Sequence, residues 1–96
     1  MILEEIKKIC PELLQLDISK LQELFKRKCP NYSSDKTWSE LGLDELDVVE
    51  IIMEMEKQFD FVFPDLLFDE IFSIDKTPSF VFQLIRESKL SDLGID

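Results

Sequence analysis

The chain contains no histidine, only two glycines and only two cysteines. Without histidine, Ser-His and Cys-His nucleophile pairs lose their base, and zinc sites lose a common ligand. Two glycines leave no Gly-rich loop to cradle a phosphate. An enzyme is therefore not expected. No C-x-x-C spacing occurs. Cys10 and Cys29 could form one disulfide, but Met1-Ile2-Leu3-Glu4-Glu5 carries acids where a secretory leader would carry bases. Both thiols are expected to be reduced and buried. No apolar run is long enough to cross a bilayer, so the expectation is a cytoplasmic protein off the membrane.

Bases are also scarce: 11 against 21 acids in 96 residues, a net charge of −10. The imbalance is local. Residues 1–30 hold six bases and five acids, whereas residues 31–96 hold five bases and sixteen acids. A surface of this sign repels nucleic acid and anionic lipid, and it suits proteins with basic patches. An acidic surface that only confers solubility would look the same. The length fits a single domain, 1–96, with one core, expected as a monomer.

Strand signals are few. Only Phe61-Val62-Phe63 alternates toward strand, and Pro64 stops it. Helical spacing dominates. Leu3, Ile6, Ile9, Leu13 and Leu14 share a helical period, which Pro11 must kink or split. Ser19-Lys20-Leu21-Gln22 fits a capping box and predicts a helix that ends near Cys29-Pro30. Asn31 to Lys36 reads as a polar loop. Asp44 to Phe59 is the clearest helix, with Asp44 as N-cap and Asp47 three residues on. Val48, Ile52, Met55 and Phe59 fall on one face, flanked by Val49 and Ile51. Asp47, Glu50 and Glu54 fall on the other, with Leu46 and Met53 at its border. Asp65 to Phe72 predicts one or two helical turns, with Leu66 or Leu67, Phe68 and Ile71 facing in. Thr77-Pro78 predicts a helix start, followed by Val81, Phe82 and Ile85 as an inward stripe. The tail from Ser88 to Asp96 is expected to fray. These segments predict an all-α fold, a small four-helix bundle with room for an extra short helix in the N-terminal region.

The stretch from Trp38 to Asp65, WSELGLDELDVVEIIMEMEKQFDFVFPD, resembles the acyl carrier protein family. The family pattern is an L-G-x-D-S-L-D segment that opens an acidic second helix. Leu41-Gly42-Leu43-Asp44 and Leu46-Asp47 match it, and Phe59, Phe63, Pro64 and Asp65 fall at the family spacings. The resemblance covers residues 37–72 well and Thr77–Ile85 more loosely. Residues 1–36 match less and exceed the usual first helix and loop.

Family members carry a phosphopantetheine arm on the serine of D-S-L. By this resemblance, that position is Glu45. The helix from Asp44 to Phe59 has no serine, and Ser39 lies six residues before Glu45. The arm is therefore expected to be absent. Several readings follow: a pseudo-carrier that binds carrier partners but carries nothing, a scaffold recruited to another interaction, or a carrier charged by other means. A carrier of fatty-acid or polyketide synthesis altered at its attachment site, naturally or by engineering, is a further one. A glutamate in a first helical turn also needs no function, since the helix dipole stabilises it by roughly 0.3–1 kcal/mol.

The resemblance implies docking on basic patches of synthases and transferases. The expected contact residues are Asp44, Leu46, Asp47, Glu50, Met53, Glu54 and Glu56. Lys57 departs from the family, where an acid is common. No metal is expected, since the Asp44–Glu50 acids lack the glycine and alternating ligands of an EF-hand loop. Phe68 falls where the family often has a small residue. Its bulk predicts a filled core among Val48, Ile52, Val81 and Phe82 rather than a lipid cleft.

Overall fold

A computed structural model describes residues 2–92 of the chain. They form six helices and one 3-10 turn, and no strand occurs among them. The all-α expectation holds. The helices are α1 (Ile2–Ile9), α2 (Pro11–Leu14), α3 (Ile18–Lys28), α4 (Glu45–Phe59), α5 (Phe68–Ile71) and α6 (Pro78–Asp92), with the 3-10 turn at Asp65–Leu67. No described helix is long and apolar enough to cross a membrane.

Pro11 divides the first amphipathic stretch. Cys10 leaves helical geometry, with φ −146° and ψ 67°, because a residue before proline is pushed out of the α region. Pro11 then opens α2, where its missing N–H costs nothing. Ile6, Cys10, Leu13 and Leu14 are all buried, so the break redirects the chain without leaving the core.

The start of α3 differs from expectation. Asp17, not Ser19, is the N-cap, and its carboxylate accepts from Lys20 N at 3.2 Å. Ser19 is exposed inside the helix. Leu16 and Leu21, the positions of a hydrophobic staple around Asp17, are both buried, which favours the earlier start. Lys26, Arg27 and Lys28 fill the last turn, where the helix dipole favours cations.

Trp38 lies at the centre, fully buried in a loop. Phe25 of α3 meets it edge-on, with centroids 5.2 Å apart, and Phe72 lies 6.3 Å away. Phe72 in turn meets Phe63 edge-on at 5.3 Å. This aromatic cluster joins α3, the loop before α4 and the turn after it. Phe68 is half-buried against the core, and Leu66 is exposed while Leu67 is buried. Cys10 and Cys29 are free and buried. Burial raises both thiols above their ordinary range, which keeps them protonated and slow to react.

Thr77 caps α6, its hydroxyl accepting from Phe80 N at 3.2 Å. Val81, Phe82, Leu84 and Ile85 are buried, as expected of this stripe. The helix does not fray at Ser88: it continues to Asp92, and Ser88 is buried. Residue 88 extends the inward stripe by three from Ile85, and α6 packs against α2 and α3. The rest of the expected tail, residues 93–96, lies outside the described residues.

Candidate functional site at the start of α4

The loop that leads into α4 is tied at both ends. Thr37 N donates to Glu40 Oε1 at 2.9 Å, and Glu40 N donates to Thr37 Oγ1 at 3.0 Å. Trp38 N donates to Lys76 O and Ser39 N to Ile74 O, at 3.0 and 2.9 Å, which fastens this loop to the turn before α6. Gly42 then reverses the chain with φ +86°, a conformation that side-chain-bearing residues rarely adopt. Leu43 N closes back onto Trp38 O at 3.1 Å.

Asp44 and Asp47 form the expected reciprocal cap. Asp47 N donates to Asp44 Oδ1 at 2.9 Å, and Asp44 N donates to Asp47 Oδ2 at 3.0 Å. Both carboxylates are thereby committed to starting the helix. Glu45 is the first helical residue and is exposed. Its side chain makes no hydrogen bond or ion pair among the described residues. Its carboxylate thus stands free on a helix start that its neighbours hold in place.

Along the outer face of α4, Leu46 is 72% exposed, Val49 36% and Met53 59%. Their spacing of three and four residues makes one apolar stripe, with the exposed carboxylates of Glu45 and Glu50 on the same helix. Val49 was expected to flank the inward face; it lies at the outer edge instead. The spacing Leu46-Val49-Met53 was a signal in the sequence. The inner face is as expected, with Val48, Ile51, Ile52 and Met55 buried and Phe59 half-buried.

The second half of the helix differs. Glu54 pairs with Lys28 Nζ at 3.8 Å. Glu56 is half-buried, and its Oε2 accepts from Phe63 N at 2.7 Å. Phe61 N also donates to the Glu56 carbonyl, and Asp60 caps the helix with φ 55°. Of the expected contact residues, Glu54 and Glu56 therefore already have partners within the chain. Leu46, Glu50 and Met53 remain outward and uncommitted, beside Asp44 and Asp47 with their capping roles.

Two surface clefts, of about 320 and 200 Å³, lie elsewhere: one between α2–α3 and Phe59–Phe61, the other between α1–α2 and Ser88. Neither is lined by Val48, Ile52, Phe68, Val81 or Phe82.

A family model described as the phosphopantetheine attachment site matches residues 4–76. The match thus includes most of the N-terminal region where the motif resemblance was weak, and it stops before α6. The chain is 32% identical over 82 residues to an acyl carrier protein of Cyanidioschyzon merolae, an alignment covering 85% of this chain and 79% of that protein. It is 29% identical over 83 residues to an acyl carrier protein of Campylobacter lari, covering 86% and 95% respectively. Against the mitochondrial acyl carrier protein of Saccharomyces cerevisiae it is 33% identical over 63 residues, 59% of this chain but 50% of that one. The chain thus spans about half the length of the yeast relative. No solved structure gives a significant match.

Proposed function

The chain belongs to the phosphopantetheine-attachment family of acyl carrier proteins, and we propose that within it this chain is a carrier-like interaction domain that bears no arm. Its role is to dock, non-catalytically, on proteins with basic patches such as synthase or transferase components. The observation that carries this reading is Glu45, free and exposed at the first position of α4, on a helix start that keeps the family's Leu41-Gly42-x-Asp44 and Leu46-Asp47. Arm transfer needs a hydroxyl oxygen that forms a stable phosphodiester. A carboxylate in its place would give a mixed anhydride, which water cleaves.

The docking surface is the first half of α4. Leu46, Val49 and Met53 supply apolar contact, and Glu50 supplies charge with the acids beside it. The runner-up is a carrier of fatty-acid or polyketide synthesis altered at the attachment site; the names of the relatives favour its ancestry. One experiment tests the absence of the arm on which the proposal stands. The chain is incubated with a phosphopantetheinyl transferase and coenzyme A, and its intact mass is read. No change is expected for the native chain, and a gain of one arm for Glu45→Ser. An arm on the native chain overturns the proposal.

A further inference from the structure

We propose that the Glu45 carboxylate takes the place of the arm's phosphodiester on the partner, so that the domain fills the partner's anion subsite together with its helix-docking surface. This rests on the reading of the chain as an armless carrier, and it makes the domain a competitor of arm-bearing carriers.

The chemistry of the two groups is close. A phosphodiester presents one negative charge over two unesterified oxygens. A carboxylate presents one negative charge over two oxygens. Both accept a bidentate pair of hydrogen bonds from a guanidinium or the point charge of an ammonium. A protein that seats an arm-bearing carrier must place the phosphodiester somewhere, and a buried or half-buried anion requires a cation there.

The geometry supplies the rest. Asp44 and Asp47 are less available, because one oxygen of each carboxylate already accepts the other's amide. Glu45 lies between them and is exposed, with no partner of its own. Leu46, next along, is 72% exposed and opens the apolar stripe. Anion and apolar contact are thus presented side by side from one rigid helix start, fastened through Trp38 and Ser39 to the turn before α6. An alanine or glycine at position 45 would also abolish attachment, but it would leave the partner's cation unpaired.

The test is a competition assay. An acyltransferase that loads the thiol of a holo acyl carrier protein is assayed with its own carrier, and this chain is added as inhibitor. Four variants follow: Glu45→Gln, Glu45→Asp, Glu50→Lys and Asp69→Asn. Asp69 is an exposed acid on a different helix, α5, and reports the loss of one charge outside α4. The native chain should inhibit. Glu45→Gln should weaken inhibition about tenfold or more, the scale of a lost charge-assisted hydrogen bond. Glu45→Asp should fall between, and Asp69→Asn should match the native chain. If Glu45→Gln inhibits as well as the native chain while Glu50→Lys does not inhibit, the anion role is overturned and docking through α4 survives. If Glu45→Gln and Asp69→Asn weaken it equally, net charge accounts for the effect and the anion role is again overturned. If the native chain does not inhibit at all, the docking reading fails with it.

Discussion

The first and second halves of α4 belong to one helix with one buried face, yet they use their carboxylates differently. From Glu45 to Met53 the outer side chains are Glu45, Leu46, Val49, Glu50 and Met53, all exposed. From Glu54 to Phe59 the acids are drawn inward: Glu54 to Lys28 and Glu56 to the amide of Phe63. The reason is what lies alongside. The basic end of α3 packs beside the later turns of α4, and the chain folds back under the helix through Asp60 to Phe63. Among the described residues, the carboxylates of the earlier turns bond only within their own cap. An acidic helix is therefore not one uniform partner surface, and charge counted along a sequence overstates what is available to a partner.

The widest contrast separates the two faces of the helix with one residue type. Met55 is fully buried, and Met53 is 59% exposed. Met55→Ala should cost about 2–5 kcal/mol in a denaturant melt, the usual range for a truncated core methionine. Met53→Ala should stay within about 0.5 kcal/mol and instead weaken partner binding. Equal losses of stability would mean that Met53 packs inward, and the outer stripe would lose a member.

A second pair tests the aromatic core behind the helix. Phe72 is fully buried against Trp38 and Phe63. Phe72→Ala should cost about 3–5 kcal/mol. Phe68 is only half-buried, so Phe68→Ala should cost clearly less. From sequence, Phe68 is the residue that should carry the full loss. A larger loss at Phe68 than at Phe72 would reverse the order of burial.

Local signals made much of this legible. The cap of α4, the split at Pro11 and the start of α6 at Thr77-Pro78 are set by side chains that bond or block backbone within a turn. The exposure of Leu46, Glu50 and Met53 was legible from helical spacing, and the roles of Asp44 and Asp47 from the cap motif. The start of α3 was not legible, because Asp17 and Ser19 both suit an N-cap and the burial of Leu16 favours the former. Nor was the commitment of Glu54 and Glu56. Their partners, Lys28 and Phe63, come from another helix and from the chain beyond α4, and no helical period reports such a contact. Ser88 likewise needs α6 packed in place before its burial can be seen.

The carboxylate of Glu56 gives a third, smaller contrast. It holds the amide of Phe63 at 2.7 Å in a half-buried setting. Glu56→Ala should cost roughly 1–3 kcal/mol, the range for a lost hydrogen bond to a charged group. Amide exchange should rise at Phe61 and Phe63, where the chain folds back. Glu50→Ala should change neither, since its carboxylate has no internal partner. Unchanged exchange in Glu56→Ala would show that aromatic packing alone holds this turn, and Glu56 would return to the pool of partner-facing acids.

The smallest effect concerns the ion pair that ties the second half of α4 to α3. Lys28 and Glu54 lie 3.8 Å apart, with side chains 36% and 39% exposed. Pairs of this exposure are worth about 0–1 kcal/mol, because water screens them and two long side chains must be ordered. A double-mutant cycle on Lys28→Ala and Glu54→Ala should return a coupling in that range. It should shrink further in 1 M salt, where the screening length falls to about 3 Å from about 8 Å at physiological ionic strength. The pair bears on the proposed docking through position rather than strength. If Glu54 is held toward α3, Glu54→Lys should leave partner binding nearly intact, while Glu50→Lys removes it because a basic patch then meets a base. Both variants should keep the fold in a thermal melt. Equal loss of binding in the two would show that α4 presents a single acidic surface along its whole length, and the division between its halves would not hold.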